Sequence, residues 1–283
     1  EVTCLSERSD LRDGIVCSIV YWLLLFVSIV GGPFSIVSLL FLPAPLLVYT
    51  AKQGRKTGAV LVLIHTALSL FLGPFWVMVT FIMEGAGWGM GQFHHNRRRS
   101  VKGLLVTGTA ALTIGYMLIV WLLSVVFDFQ LTAELQQEWE NSVKMYREAW
   151  GQMGLTIRED ELNRVREMMI ALLPAGFLLG AGSVALLNHF VGRLVLNRLG
   201  VPTVKLPPFR QWQFPRSTLA WYIVSIFVFM LTGTGTFFNS VAATAWALIQ
   251  LLFVVQALSL ISSFVVRTEH VSAVWLICLV ILY

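Results

Sequence analysis

The chain has 283 residues, of which 57% are hydrophobic and 12% charged. Soluble domains are about 25% charged, so this composition excludes an ordinary soluble globular protein. The net charge of +5 lies in short loops beside apolar stretches, which makes it a signal of topology rather than of nucleic-acid binding.

Residues 14–51, 103–127, 168–192 and 217–266 carry no charged side chain, and 57–96 carry only Glu84. A hydrocarbon core ~30 Å thick needs ~20 apolar residues per helical crossing. Only helices and closed barrels cross it with their backbone polar groups satisfied. These stretches are too long and too evenly apolar for barrel strands. The expected fold is therefore all-α, a polytopic helical membrane protein of eight to nine spans.

In chain order, the first span is expected over 14–30, as a first crossing or signal-anchor, and ends at Gly31-Gly32-Pro33. The chain opens without Met and stops inside an apolar stretch, as a trimmed copy would. The second span, 34–50, contains Pro43 and Pro45 and is expected to kink or break there. Lys52, Arg55 and Lys56 follow it. A short third span, 59–72, meets a fourth, 75–92, at Gly73-Pro74, and Arg97, Arg98, Arg99 and Lys102 close that hairpin. The fifth span covers 103–127.

Residues 128–167 form the one long polar stretch. Leu135, Trp139, Val143, Tyr146 and Trp150 share one helical face, and Thr156 with Glu159 fits a capping box opening a second helix. The expectation is an amphipathic helical hairpin outside the cell, either lying on the membrane or covering a cavity. The sixth span covers 168–194. A basic, proline-rich linker, 201–216, leads to spans seven (219–231) and eight (240–266), separated at Thr232-Gly-Thr-Gly-Thr236. Residues 271–283 are a truncated ninth span or an interfacial stub. The chain thus divides into an N-terminal bundle (1–127), an external insertion (128–167) and a C-terminal bundle (168–283).

With the N-terminus in the cytoplasm, the loops after spans two, four, six and eight fall inside with the N-terminal arm, and hold fifteen of the twenty basic residues. The 128–167 stretch falls outside, with nine acids against five bases. This separation obeys the positive-inside rule. It points to a bacterial cytoplasmic membrane, with the lipid bilayer as the first partner.

Glu84 is the one acid within a span, and an ionisable group in a membrane is a functional candidate by default. It begins a Gly85, Gly87, Gly89, Gly91 series whose spacing lets another helix approach closely. It reads either as a proton- or ligand-binding carboxylate or as a carboxyl bonded to a neighbouring helix. His65, Asn188 and His189, with Glu84 and Trp88, are candidates to line one ligand-binding polar cavity. Each also fits an ordinary interhelical bond, as do Asn239, Gln250 and Gln256. His94 and His95, beside three arginines, suggest either a metal site or solvated neighbours of lipid headgroups. Ser183, after Gly180-Ala181-Gly182, is expected on a small-residue packing face. Cys4, Cys17 and Cys278 have no metal or disulfide spacing.

No enzyme is expected. There is no HExxH helix and no GxxxxGK[ST] phosphate loop. Ser183 and His189 lie 120° apart around one helix, too far for a nucleophile–base pair. No cofactor or metal is implied. In the linker, Pro207, Pro208 and Pro215 stiffen a segment in which Phe209 and Trp212 offer apolar surface between basic residues. It is either an interfacial anchor or a platform for a partner protein.

The Leu206-Pro207-Pro208-Phe209 … Trp212 … Pro215 stretch resembles the YybS family of bacterial multi-pass membrane proteins. The proline-containing second span, Glu84-Gly85, the polar insertion after span five and Leu173-Pro174 carry the same resemblance. That family, of unknown function, is similar in part to the S-components of energy-coupling factor transporters. This implies a subunit that binds a small molecule outside the cell, depends on a coupling transmembrane subunit and ATPases, and has no ATPase site of its own. S-components dock through Ala-x-x-x-Ala on their first helix. Here span one offers Gly14-x-x-x-Ser18, and Ala243-x-x-x-Ala247 has that spacing in span eight instead.

Overall fold

The structure is a computed structural model that describes residues 2–95, 100–152, 159–233 and 236–267. The described residues are mostly helical and include no strand, and the longest non-helical stretch is the linker 199–216, which holds one 3-10 turn. The helices are α1 (Val2–Val30), α2 (Phe34–Phe41), α3 (Pro43–Gln53), α4 (Arg55–Leu68), α5 (Pro74–His95), α6 (Val101–Phe127), α7 (Leu131–Gln152), α8 (Glu159–Ala171), α9 (Leu173–Arg198), α10 (Ser217–Leu231) and α11 (Phe237–Arg267). One-turn 3-10 segments cover Ser69–Leu72 and Phe209–Gln211.

Six stretches among the described residues are long and apolar enough to cross a bilayer: Leu11–Val30, Phe34–Gln53, Arg55–Leu72, Val101–Phe127, Leu173–Arg198 and Phe237–Ser263. The two other expected spans are also helices. Glu84, the glycines and two histidines dilute the apolarity of α5. The 15 residues of α10 reach only about 22 Å at 1.5 Å per residue, short of a ~30 Å core. The outer surfaces are inverted relative to a soluble protein: Phe26 is 65% exposed and Phe71 89%. Segment 271–283, Arg97 to Arg99 and Thr156 lie outside the described residues, as does the side chain of Trp150.

The chain forms two compact units, one of Glu1–Phe129 with Phe177–Lys205 and one of Gln130–Gly176 with Leu206–Tyr283. This division groups most of α9 with α1 to α6, where the sequence order placed it in a C-terminal bundle.

In the first unit, Pro43 and Pro45 supply no backbone N–H, and the helix breaks at Leu42 between α2 and α3. The Asn188 amide of α9 donates to the Leu40 carbonyl beside this break, at 2.7 Å, and to Val184 O at 2.8 Å. The missing Pro43 and Pro45 N–H groups leave the Leu39 and Phe41 carbonyls without their i+4 donors, and Asn188 brings a donor from α9 to the carbonyl between them. Below the break, α3 lies directly on α5. A Cβ on Gly87 would run into the Pro43 carbonyl, and one on Gly91 would stand 2.7 Å from Leu47 O. Gly89 faces Thr107 of α6, while Gly85 faces open space. Of the two glycine pairs at helical spacing, Gly87/Gly91 is therefore the helix-packing pair. At Gly54 the chain turns from α3 into α4 with φ 97°, a conformation that favours glycine. On α9, Ala181, Val184 and Ala185 take the buried face. Ser183 is exposed, so it is not part of that packing surface.

In the second unit, α10 and α11 form a hairpin. Asn239, 2% exposed, donates to the Phe229 and Thr232 carbonyls at the end of α10, both at 3.2 Å. Phe229 stacks on Trp246, and Tyr222 meets Phe253 edge-on. The expected amphipathic helices are present as α7 and α8, with Val143 buried and Arg147 paired to Glu159 at 2.5 and 2.7 Å. Tyr146, on the same expected face, is 58% exposed.

Gly87→Val should force α3 off α5 and lower stability by about 1–3 kcal/mol, the usual range for overpacking. Gly85→Ala, which enters open space, should change it by less than about 0.5 kcal/mol. Thermal unfolding in detergent followed by tryptophan fluorescence separates the two.

Candidate functional site

Glu84 lies on the inner face of α5 with Thr80, Gly87 and Gly91, spaced at i−4, i+3 and i+7. The glycine approach of α3 to this face draws α5 into the unit and leaves Glu84 fully buried. Its Oε1 is hydrogen-bonded to Nδ1 of His65 on α4, which is 1% exposed. His65 Nε2 lies 2.8 Å from the Ser18 hydroxyl of α1. The Tyr21 ring stacks on the imidazole at 5.1 Å with 5° between planes, and its hydroxyl donates to Thr80 Oγ1 at 2.9 Å. Three helices thus contribute to one enclosed polar array. Glu84 Oε2 is buried with no hydrogen-bond partner among the described residues.

This array can hold and relay a proton. Ser18 also lies 2.9 Å from the Gly14 carbonyl. With its proton on that carbonyl, Ser18 Oγ accepts from His65 Nε2–H. With the hydroxyl turned toward the ring, Nε2 accepts and Nδ1–H donates to Glu84. The first arrangement holds one proton more than the second, because Nδ1 and Glu84 Oε1 stay in contact and need a hydrogen between them in both. The order hydroxyl, imidazole, carboxylate resembles a nucleophile relay. Ser18, however, is inside α1, where the backbone N–H groups around it are engaged in the helix, so α1 offers no oxyanion-stabilising pair beside it.

The other expected ligand residues do not join this cluster. Trp88 faces a separate apolar groove, donates Nε1–H to the Arg55 carbonyl at 2.9 Å, and carries the Arg55 guanidinium over its ring at 5.5 Å. Asn188 is committed to the α2–α3 break. His189 is fully buried and stacks on His94, with ring centroids 5.7 Å apart and 11° between planes; neither His189 nitrogen has a hydrogen-bond partner among the described residues. The candidates therefore separate into four places instead of one cavity, because 3.6-residue periodicity sets the face of each helix but not its neighbour.

One correction follows for the histidine pair. His94 is not a solvated headgroup neighbour: it is 1% exposed and Nδ1 accepts from Val204 N at 3.2 Å. Only His95 is exposed, and its Nδ1 lies 3.2 Å from the Ala51 carbonyl. No group of three or more His, Cys, Asp or Glu side chains suited to a metal occurs among the described residues. Sequence reasoning passed over Tyr21 and Thr80 and named Ser18 only in setting Gly14-x-x-x-Ser18 against a docking motif. A Ser and a Tyr three apart on α1 mark a common face, and nothing in the sequence pairs that face with His65.

In the second unit, Ser259 of α11 holds the linker through the Phe209 and Trp212 carbonyls, at 2.7 and 3.1 Å. Trp212 donates Nε1–H to Pro207 O at 3.0 Å and packs against Phe209. Phe209, Pro207, Pro208 and Pro215 remain exposed, and Trp212 is half-buried.

His65→Leu should strand the Glu84 carboxyl and destabilise the protein by about 3 kcal/mol. The double change His65→Leu with Glu84→Leu should recover most of that loss in the same thermal assay. Ser259→Ala should free the linker, seen as several-fold faster tryptic cleavage after Arg210.

The family described as "Predicted membrane protein (DUF2232)" matches residues 19–283. The chain is 22% identical to the "Uncharacterized protein YybS" of Bacillus subtilis (strain 168), over 93% of this chain and 85% of that one. No solved structure matches. With its apolar helices and inverted surfaces, this chain belongs to the DUF2232 family of predicted membrane proteins.

Proposed function

We propose that this protein is a substrate-binding subunit for small-molecule uptake, similar in role to an S-component. It sits in the bacterial cytoplasmic membrane with its N-terminus inside, and catalyses no covalent step of its own. The observation that carries this reading is the enclosed Glu84–His65–Ser18 array, with one carboxylate oxygen that has no partner among the described residues. A buried ionisable pair costs stability, and such groups within membrane segments mark substrate, ion or proton sites. Glu84 Oε2 is the atom that offers an acceptor to a ligand donor or a proton. The array is closed, so ligand entry requires α1, α4 and α5 to separate. Lacking a phosphate loop, the chain takes its energy from a coupling transmembrane subunit and ATPases.

A second reading, a membrane scaffold or regulatory partner in the cell envelope, is favoured by that same closure and by the linker. Pro207, Pro208, Phe209, Trp212 and Pro215 form a stiff surface fastened to α11 through Ser259, with Phe209 41% exposed. Such a fixed aromatic suits an anchor in a partner's pocket.

Native mass spectrometry of the full-length protein, gently extracted from its own membranes, tests both. Uptake predicts a retained small molecule or a stoichiometric complex with a coupling protein and ATPases. Glu84→Gln should reduce the retained molecule at least tenfold. Equal retention in that variant removes Glu84 from the site. Envelope proteins bound without a small molecule, and released by Phe209→Ala with Trp212→Ala, support the scaffold reading.

A further inference from the structure

The first unit has a second feature that the polar array does not use. Between α4, α5 and α6 runs a groove of about 560 Å³, walled by Val62 and Leu63, Phe81 and Gly85, and Ile114 and Leu118. Gly85 keeps it open, since nothing lies within 4 Å of where its Cβ would stand. Its lining on α6 extends from Ala111 to Leu122, about 16 Å at 1.5 Å per residue. That is close to half of a ~30 Å hydrocarbon core, the depth spanned by one acyl chain of one leaflet.

One end of the groove is chemically different. Trp88 lines it there, with the Arg55 guanidinium 5.5 Å above the indole ring. Ala59, one turn after Arg55 on α4, is part of the same wall. Arg55 and Lys56 are exposed, and neither forms an ion pair among the described residues. An apolar slot about 16 Å long, with Arg55 over the tryptophan at one end and the exposed Lys56 next to it in the chain, complements an amphiphile with a single negative headgroup.

We propose that this groove is a binding site for an anionic phospholipid of the surrounding bilayer, with an acyl chain between α4, α5 and α6 and its phosphate at Arg55 and Lys56. Trp88 joins the two halves: its ring closes the apolar slot, and its contacts with Arg55 hold the cation at the mouth. The inference is independent of the uptake reading, because it involves neither Glu84 nor His65.

The test is lipid titration of the full-length, delipidated protein by native mass spectrometry, with dioleoyl phosphatidylglycerol and dioleoyl phosphatidylcholine as probes. The intact protein should bind the first phosphatidylglycerol roughly tenfold to thirtyfold more tightly than phosphatidylcholine, as expected for two basic side chains near an anionic headgroup. Arg55→Gln with Lys56→Gln should bring that preference to about onefold, leaving phosphatidylcholine binding unchanged. Gly85→Phe should weaken the first bound copy of both lipids. These substitutions at exposed cations leave the helix packing intact, so the arm stands even if Gly85→Phe does not fold. Persistence of the preference in the Arg55/Lys56 variant overturns the proposal. So does an equal loss from Arg210→Gln with Arg216→Gln, since the lipid would then follow overall charge.

Discussion

The close approach of α3 to α5 governs the first unit. Gly87 and Gly91 remove the side chains that would hold the two backbones apart, and the Pro43 and Leu47 carbonyls occupy that space. In a bilayer, helix association rests on such contact, because lipid tails solvate apolar side chains as well as the protein does. Leucines at these positions would be no less hydrophobic and far worse at joining the helices. The glycine face also sets the rotation of α5. With Gly87 and Gly91 turned onto α3, Glu84 is turned inward, toward α4 and α1.

That rotation places a carboxyl where water is excluded, and His65, Ser18, Tyr21 and Thr80 are arranged around it. A polar group buried without partners costs several kcal/mol in hydrocarbon, so the array is as much a condition of folding as a candidate site. It is also incomplete at Glu84 Oε2. The interruption at Pro43 and Pro45 sits beside a carbonyl that Asn188 supplies with a donor from α9.

The second unit is held differently. Asn239 and the aromatic pairs close the α10–α11 hairpin, and Ser259 fastens the proline-rich linker to α11. The prolines restrict the backbone, and the serine fixes where it lies. Together they turn a connecting loop into a defined surface with Phe209 outward.

The sequence by itself determined the helical membrane class and the breaks at Gly-Pro and Pro-x-Pro, and it singled out Glu84 as the one acid within a span. These are local properties: apolar length, missing N–H groups, and one charge in an apolar run. It also marked Gly87 and Gly91 as a packing pair, though it could not separate them from Gly85 and Gly89. The tertiary structure decided which helices meet. It joined His65 to Glu84 across α4 and α5, sent Trp88 to a separate apolar groove, turned His94 inward onto His189, and supplied Ser18 and Tyr21 from α1. A helix repeats every 3.6 residues whatever stands beside it, so the residues sharing a face are written in the chain, while the partner of that face is set by packing alone.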